Sequence, residues 1–427
     1  MASITERDRN VIWHPYTPMK LWPEAIGIVS GSDEFLFDEQ GKRYIDAISS
    51  WWVTLHGHAH PYIAQKISEQ LTKLEHCIFA GFTHEPAVQL AERLLTILPG
   101  KPEKIFFSDN GSTAVEVAIK MALQYYNNKG QKRKRIVALE HAYHGDTFGA
   151  MSVSGRSIFT EAFDSFLFDV DFIPFPNEEN KEHSIATLKK LLANGDVAAF
   201  IIEPLVQGTA GMCMYPPEVL DAYFRLCKEQ HTLIIADEVM TGFGRTGTLF
   251  ACDTVSAAPD IICLSKGLTG GTMPLGVTAC TIDVFNAFYD DDRGKTLYHG
   301  HSFTANPIAC TAALASLDLL EKDESTENRK RIAARHTEFA SLIANHKNVV
   351  AIRQAGTILA IELNTSMPTS YNHNKRDFIY SFFIDRGILI RPLGNIIYVM
   401  PPYCTSDESL MLIYSCIQEL LLTLDNQ

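Results

Sequence analysis

The feature of this sequence that most constrains its fold is a repeated alternation of short β-type runs with helix-length segments. The runs lie in the middle of the chain, and turn residues bound each of them: Lys104–Ser108, Arg135–Glu140, Ala198–Glu203, Thr232–Asp237 and Ile261–Ser265. Parallel neighbouring strands need a long crossover between them, and a helix usually supplies it. The alternation therefore predicts an α/β domain with a mainly parallel sheet.

Polar residues are concentrated where these runs end. They are Ser108-Asp-Asn-Gly-Ser112, Glu203-Pro204, Asp237-Glu238 and Ser265-Lys266. In open α/β sheets, ligands bind outside the carboxyl ends of the strands. The sequence therefore predicts a ligand site at one edge of the sheet.

The length of 427 residues favours two closely associated domains, because a single core rarely grows beyond about 300 residues. After about residue 310 the pattern changes to a long amphipathic helix from Pro307 to Glu321. A charged helical stretch and alternating segments follow, at Ala351–Arg353, Ile358–Leu363 and Ile388–Arg391. We predict a large domain over residues 56–310 and a smaller α+β domain that combines residues 1–55 with residues 311–427.

The net charge and the cysteine content indicate which partners and which cellular compartment to expect. A formal net charge of −13 argues against non-specific binding to nucleic acid or to anionic membranes. The first ten residues lack the apolar segment of a signal peptide, and no uncharged apolar run is long enough to cross a bilayer. The nine cysteines are an odd number and form no Cys-x-x-Cys pair. We expect an enzyme of the reducing cytoplasm that binds neither nucleic acid nor membrane.

Two residues at the ends of apolar runs suggest a pyridine cofactor. Lys266 follows Ile261-Ile-Cys-Leu264, and burial there favours the neutral amine that imine formation needs. Asp237 ends an apolar run too, and a carboxylate beside a pyridine nitrogen keeps that nitrogen protonated. Each residue taken alone is more often a solvated lysine or an ordinary turn acid. Together they predict two groups of one cofactor site.

Two further segments supply groups that suit such a cofactor. Asp109-Asn-Gly-Ser-Thr113 opens a predicted helix, where free amides and the helix dipole favour a phosphate that the Gly111 amide and the Ser112 hydroxyl can hold. An ordinary helix cap is an equally good interpretation of that segment alone. Tyr143, after the second run, has an aromatic ring that can stack on another ring, although packing is the commoner role.

Two other patterns are weaker. Gly242-Phe-Gly-Arg-Thr-Gly247 matches a dinucleotide fingerprint, but no helix pattern starts there, so we predict a substrate-lining loop with Arg245 available for a carboxylate. The histidines of His56–His60 and His299–His301 lack companion ligands at metal spacing, so we predict turns and no metal site.

Taken together, these segments resemble the class III aminotransferases, which are fold-type I enzymes that use pyridoxal 5′-phosphate (PLP). The most specific stretch is Asp237-Glu-Val-Met-Thr-Gly-Phe-Gly-Arg-Thr-Gly247, with Lys266 placed 29 positions after Asp237. The resemblance covers nearly the whole chain. It implies a large domain with a mainly parallel seven-stranded sheet, a smaller α+β domain, and a homodimer with shared active sites.

A narrower resemblance points to the members of this family that act in biotin synthesis. It rests on Trp13-His-Pro-Tyr-Thr17, Ser49-Ser-Trp-Trp52, His141-Ala-Tyr-His-Gly-Asp-Thr-Phe-Gly-Ala-Met151, Thr269-Gly-Gly-Thr-Met273, Arg391-Pro-Leu-Gly394 and Tyr398-Val-Met-Pro-Pro-Tyr403. It implies transfer of the amino group of S-adenosylmethionine to 8-amino-7-oxononanoate, which gives 7,8-diaminononanoate. Some relatives use lysine as the amino donor, and the sequence leaves that alternative open.

The resemblance also implies a role for each matching residue. Lys266 binds the cofactor covalently and moves the substrate proton, Asp237 pairs with the pyridine nitrogen, and Tyr143 stacks on the ring. Gly111 and Ser112 hold the phosphate together with His301 and Ser302 of the neighbouring subunit. The substrate-binding residues are Tyr16, Trp51, Trp52, Tyr143, Arg245, Lys266, Gly300, Arg391 and Tyr398, of which Tyr16 is also a catalytic candidate and Arg391 receives the acceptor carboxylate. Glu203 lies near the ring in a supporting role.

Three alternatives remain at this stage. The nearest is another class III aminotransferase, acting on ornithine, 4-aminobutyrate or a diamine. The second is a dinucleotide-dependent oxidoreductase built around Gly242–Gly247. The third is a non-catalytic protein of the same fold that acts through its dimer surface.

Overall fold

The computed structural model describes residues 2–21, 24–365 and 373–425. Its strands are β1 (Ile28–Ser32), β2 (Phe35–Asp38), β3 (Arg43–Asp46), β4 (Lys104–Ser108), β5 (Arg135–Leu139), β6 (Asp171–Ile173), β7 (Val197–Ile202), β8 (Val206–Gln207), β9 (Cys213–Met214), β10 (Leu233–Asp237), β11 (Ile261–Leu264), β12 (Gly276–Cys280), β13 (Val349–Ala355), β14 (Ile358–Leu363), β15 (Ile388–Leu389) and β16 (Ile396–Val399).

The α-helices, in chain order, are α1 (Ile4–Val11), α2 (Ser49–Trp52), α3 (Pro61–Leu71), α4 (Glu85–Ile97), α5 (Gly111–Asn128), α6 (Phe148–Val153), α7 (Lys181–Leu192), α8 (Pro217–Glu229), α9 (Ile282–Asn286), α10 (Pro307–Leu320), α11 (Asp323–Ile343), α12 (Arg376–Asp385) and α13 (Asp407–Asp425). Within the described ranges, no helix has both the length and the apolar character needed to span a membrane.

A seven-stranded sheet forms the centre of the molecule, in the order β4-β12-β11-β10-β7-β5-β6. The pairs from β11 through β10, β7 and β5 to β6 are parallel. Strand β12 runs antiparallel to both of its neighbours, β11 and β4. The predicted α/β fold with a mainly parallel sheet is confirmed.

The central strands are apolar along their whole length because both faces of the sheet are covered. In β10, Leu233 and Ile235 belong to the same buried cluster as helix α5. Ile234 and Ala236 point the other way, into the cluster that contains helix α8. Alternate residues of a strand face opposite sides of a sheet, so helices on both sides require an uninterrupted apolar run. Burying each large aliphatic side chain stabilises the fold by about 1.5–3 kcal/mol.

The N-terminal and C-terminal parts of the chain meet in a smaller four-stranded sheet. Its order is β1-β2-β3-β15, and β15 pairs in parallel with β3. A separate antiparallel sheet contains β13, β14 and β16. The pairing of β3 with β15 brings chain segments more than 300 residues apart into contact. The domain boundaries at residues 55 and 310 stay a prediction.

Candidate active site

Asp237 and Lys266 lie at the carboxyl ends of two neighbouring strands of the large sheet. Strands β10 and β11 are parallel neighbours, with Asp237 opposite Cys263. Lys266 begins a short 3-10 helix directly after β11 and has a φ of +45°, a left-handed conformation that is unusual for a residue other than glycine. Both residues line one cavity of about 660 Å³. The structure thus brings together the two groups that the sequence placed at adjacent strand ends.

The amine of Lys266 lies in surroundings that favour its neutral form. Its Nζ atom is 4.7 Å from the ring centroid of Trp52. Burial lowers the pKa of Lys266, whereas the charges of Asp237 and Glu203 oppose that effect. A neutral amine is the nucleophilic form of lysine, so this position suits covalent chemistry with a carbonyl group.

The carboxylate of Asp237 is held in a fixed orientation by two partners. Its Oδ2 atom lies 2.7 Å from Nδ1 of the fully buried His144. Its Oδ1 atom accepts a hydrogen bond of 3.1 Å from the Val239 amide. Asp237 itself is only 5% exposed. The carboxylate is therefore oriented before any ligand binds.

The first turn of helix α5 lies at the wall of the same cavity. The side chain of Asn110 accepts a hydrogen bond from the Thr113 amide, and the Asn110 amide donates one to the Thr113 hydroxyl. This capping box satisfies the third amide of the helix and leaves the amides of Gly111 and Ser112 at its open end. Gly111 and Ser112 both line the cavity. The cap interpretation is confirmed for Asn110, and the next two residues face the cavity, where phosphate binding stays a prediction.

Glu203 is a buried acid beside Asp237 and Lys266. Its Oε1 atom accepts a 2.9 Å hydrogen bond from the Tyr143 amide, and its Oε2 atom accepts one of 3.1 Å from Gly208. Burial raises the pKa of Glu203 to about 7, and the charge of Asp237 adds to that rise. Glu203 thereby fixes the backbone that carries Tyr143, in keeping with the supporting role predicted for it.

A second cavity of about 380 Å³ contains Lys266 and Arg391 together. Its lining includes six aromatic side chains: Tyr16, Trp51, Trp52, Tyr143, Phe159 and Tyr398. We call this cavity the aromatic channel. A channel of this composition suits a mostly apolar ligand that has a charged group at one end.

Contacts between the N-terminal segment and Arg391 shape the channel. The guanidinium carbon of Arg391 lies 4.9 Å from the ring centroid of Trp51, and Nη2 donates a 3.1 Å hydrogen bond to the Tyr16 carbonyl. The hydroxyl of Tyr16 contacts Asp146 at 2.6 Å and the hydroxyl of Tyr143 at 3.2 Å. Burial and the Tyr16 hydroxyl both raise the pKa of Tyr143, so that phenol stays protonated.

The two adjacent tryptophans differ in their surroundings. Trp52 is 4% exposed, and its indole nitrogen donates a 3.0 Å hydrogen bond to the hydroxyl of Tyr398. Trp51 is 41% exposed. Ser49, Ser50 and Trp52 all have positive φ angles, and this strained turn directs both indoles into the channel.

Comparison with known proteins decides the family. The model of the family Aminotransferase class-III matches residues 22–421, which is nearly the whole chain. The chain is a class III aminotransferase. Enzymes of this class depend on PLP.

Individual relatives of this class III aminotransferase carry one recurrent name. An adenosylmethionine-8-amino-7-oxononanoate aminotransferase from Synechococcus elongatus is 48% identical over 96% of this chain and 98% of its own length. A protein of the same name from Geobacter sulfurreducens is 38% identical over 96% of this chain and 95% of its own length.

Solved structures give the same result for the fold. The adenosylmethionine-8-amino-7-oxononanoate aminotransferase of Methanocaldococcus jannaschii has a TM-score of 0.92 and 35% identity, covering 97% of this chain and 98% of its own. An omega transaminase of Pseudomonas jessenii in complex with PMP has a TM-score of 0.90 and 26% identity, covering 97% and 96%. The predicted fold-type I architecture is confirmed.

The residues of the larger cavity fit PLP. An amine with a lowered pKa, a buried carboxylate and two first-turn amides line one space of about 660 Å³. These groups match the aldehyde, the pyridine nitrogen and the phosphate of the cofactor, respectively. Tyr143 lines the same space and offers an aromatic face.

Arg245 requires a correction. The prediction that it offers its guanidinium to a substrate carboxylate is wrong, because the side chain is only 1% exposed and lines neither cavity. Its Nη1 donates a 2.9 Å hydrogen bond to the Pro401 carbonyl, and its guanidinium carbon lies 5.1 Å from the Tyr403 ring centroid. Its charge contributes to the lowered pKa of Lys266. Residues 242–247 form turns and open no helix, as expected for a loop, but none of them lines either cavity, so the predicted substrate-lining position is not observed.

Gly300, His301 and Ser302 lie outside both cavities of their own chain. Gly300 and Ser302 are exposed. Their predicted role in a neighbouring subunit stays a prediction.

Sequence reasoning assigned no role to three residues that the structure places at the site. They are His144, Asp146 and Phe159. The first two belong to the segment after β5 that contains Tyr143, so their position at a strand end was an available signal. Phe159 gives no such signal, because it follows α6 and reaches the channel only through tertiary packing against Tyr16, with ring centroids 5.6 Å apart.

Proposed function

We propose that this class III aminotransferase transfers the amino group of S-adenosylmethionine to 8-amino-7-oxononanoate and so makes 7,8-diaminononanoate for biotin synthesis. The observation that carries the proposal is the single cavity that holds both Lys266 and Arg391 among aromatic side chains. The names of the relatives from Synechococcus elongatus and Methanocaldococcus jannaschii support it.

The shape and charge of the channel suit this acceptor. 8-Amino-7-oxononanoate is a long, mostly apolar molecule with a ketone near one end and a carboxylate at the other. Aromatic walls such as Trp51 and Tyr398 favour its chain. A guanidinium forms strong hydrogen bonds with a carboxylate, so we assign the far end of the acceptor to Arg391. The reacting carbon is then directed toward Lys266.

The residues of the cofactor end are each assigned a role toward PLP. Lys266 would hold the cofactor at its aldehyde carbon, and its amine would carry the substrate proton. Asp237 keeps the pyridine nitrogen protonated, and PLP bound in this way serves as the electron sink for the substrate carbanion. Gly111 and Ser112 hold the phosphate, and Tyr143 covers the ring. Tyr16 closes the channel over the reacting groups through its contact with Asp146.

Two further properties belong to the same proposal. We assign a homodimer in which His301 and Ser302 complete the phosphate site of the neighbouring subunit and Gly300 lies beside its channel. The exposure of Ser302 and of Phe303 next to it supports that assignment. We place the enzyme in the cytoplasm, since all nine cysteines are free thiols, as expected in a reducing compartment.

The test separates the two halves of the reaction. The PLP form of the enzyme is mixed with S-adenosylmethionine or with lysine, and the cofactor absorbance is followed without an acceptor. We expect S-adenosylmethionine to convert the cofactor and lysine to leave it unchanged. The aminated enzyme is then mixed with 8-amino-7-oxononanoate, and formation of the diamine is measured by mass spectrometry.

Three outcomes contradict the proposal in different ways. If lysine converts the cofactor and S-adenosylmethionine does not, the amino donor is lysine. If the enzyme aminates succinic semialdehyde, the carbonyl partner of 4-aminobutyrate, but not 8-amino-7-oxononanoate, the proposed acceptor is wrong and the chain is another ω-aminotransferase. If no amine converts the cofactor, the assignment of this chain as a working aminotransferase is wrong.

A further inference from the structure

The hydroxyl group of Ser112 is held by a second residue, Thr147. Ser112 Oγ accepts a 3.0 Å hydrogen bond from the Thr147 amide. The two hydroxyl oxygens lie 2.8 Å apart. Gly145 allows this approach, because a Cβ atom at that position would overlap Ser112 Oγ, and its φ of +136° disfavours any other residue.

Thr147 is held in turn by Glu116, which lies one helical turn after Ser112 on α5. Glu116 Oε1 accepts the Thr147 hydroxyl at 2.5 Å, the Gly149 amide at 2.7 Å and the Ala150 amide at 3.0 Å. The lack of a side chain at Gly149 leaves room for this contact, since a Cβ atom there would overlap the Glu116 carboxylate in its present position. The Glu116 carboxylate therefore connects residues 147–150 to helix α5 through hydrogen bonds.

The donors and acceptors in this chain fix the direction of each hydrogen bond. The Thr147 hydroxyl donates to the Glu116 carboxylate oxygen, so its one proton is engaged there. The Ser112 hydroxyl must then be the donor in its contact with Thr147. Its proton is thus directed to Thr147, while its oxygen is held by the Thr147 amide.

We propose that Glu116 is a positioning residue for the cofactor phosphate, acting through Thr147 on Ser112. When phosphate enters, the Ser112 proton turns from Thr147 to a phosphate oxygen. The Ser112 oxygen stays in place because the Thr147 amide still donates to it. This inference rests on the proposed placement of phosphate at Ser112 and is independent of which amine and ketone the enzyme uses.

The test measures PLP affinity and the double-mutant coupling between the two residues. The dissociation constant of PLP is determined by fluorescence titration of the cofactor-free dimer for wild type, Glu116→Ala, Ser112→Ala and the double variant. We expect Glu116→Ala to raise the constant about tenfold, since hydrogen bonds to a charged group are lost. In a protein that already carries Ser112→Ala, we expect Glu116→Ala to raise the dissociation constant of PLP less than about threefold, because the effect of Glu116 passes through Ser112.

Two readouts separate positioning from general loss of structure. The ³¹P NMR signal of bound PLP is expected to shift in Glu116→Ala and to return toward the wild-type position in Glu116→Gln, whose carbonyl oxygen still accepts. Thr147→Ser keeps the linking hydroxyl and is expected to bind PLP with wild-type affinity. Glu92→Gln, on an exposed position of α4, is the matched control and is expected to change nothing.

The outcomes that overturn the inference are distinct. An unchanged PLP affinity in Glu116→Ala, or effects of Glu116→Ala and Ser112→Ala that simply add, shows that Glu116 does not act through Ser112. An unchanged affinity in Ser112→Ala overturns both this inference and the proposed phosphate position. If the expected coupling between Glu116 and Ser112 is found but the enzyme uses other substrates, the proposed function is wrong and this inference stands.

Discussion

The two ends of the active site are assembled in different ways. The cofactor end is built from the carboxyl ends of strands in one sheet and from the start of α5, and all its lining residues except Trp52 and Val53 lie between Asp109 and Leu275. The aromatic channel is built from residues near opposite ends of the chain, such as Tyr16 and Arg391, which are 375 positions apart. Local strand topology fixes the chemistry, whereas packing of distant segments fixes the space that selects the substrate.

The residues at the two ends also differ in burial and in their contacts. Asp237 and Glu203 at the cofactor end are each 5% exposed and bonded to backbone amides. Trp51 in the channel is 41% exposed and is held beside Arg391 through a cation–π contact. Substitutions at the cofactor end are therefore expected to change the rate of every substrate. Substitutions in the channel are expected to change one substrate more than another.

The sharpest test of the cofactor end is Lys266→Ala. It removes both the covalent attachment and the proton carrier, so we expect turnover to fall by about 10⁴-fold or more with either substrate. Turnover is measured under steady-state conditions with saturating PLP. Lys132→Ala, at an exposed position, serves as the control. Normal turnover in Lys266→Ala would remove this lysine from the mechanism.

Asp237→Asn changes the charge at the cofactor end while keeping the shape of the side chain. We expect both half-reactions to slow by about 10²–10³-fold, because a preorganised charge at the pyridine nitrogen is lost. Single-turnover kinetics with donor alone and with acceptor alone measure the two rates. A loss confined to one half-reaction would place Asp237 with the substrate instead of the cofactor.

Arg391→Met tests the channel end. It keeps most of the side-chain length but removes the charge, so we expect kcat/KM for 8-amino-7-oxononanoate to fall by about 10–100-fold. The first half-reaction with S-adenosylmethionine is expected to change less. A comparison of acceptor analogues with and without the terminal carboxylate provides the control. Equal losses for both analogues would contradict the assignment of Arg391.

Glu203 predicts a smaller, pH-dependent effect on stability at the cofactor end. Its pKa is raised by burial from 4.5 to about 7, so its contribution to stability is complete below the unfolded pKa and is lost as the pH rises through the folded one. From about pH 5.5 to about pH 7, we expect the unfolding free energy of the cofactor-free protein to fall by about 1.5 kcal/mol relative to Glu203→Gln.

Denaturant titrations at several pH values measure that difference. Glu203→Gln keeps an acceptor for the Tyr143 amide and removes the titration, so it is the matched variant. A pH dependence that is identical in both proteins would show that Glu203 does not titrate in this range.

The sequence predicted five of the seven strands of the large sheet to within one residue at each end, because uninterrupted apolar runs between turn residues are a strong local signal. It also placed Asp237 beside Lys266, since both end strands that a parallel sheet brings together. Strands β6 and β12 of this sheet were not predicted. Strand β6 is only three residues long. The residues of β12, Gly276–Cys280, give a weaker pattern, and the antiparallel position of β12 between β4 and β11 depends on the rest of the sheet.

The sequence by itself determined the strand ends and the kinds of side chain that occupy them, because apolar periodicity and turn chemistry are local properties. Only the tertiary structure decided which of two arginines lines the channel. Arg391 lines it beside Trp51, whereas Arg245 is buried with 1% exposure against Tyr403. Solvent access, like the burial that lowers the pKa of Lys266, is set by neighbours far away in the sequence, and no local pattern encodes it.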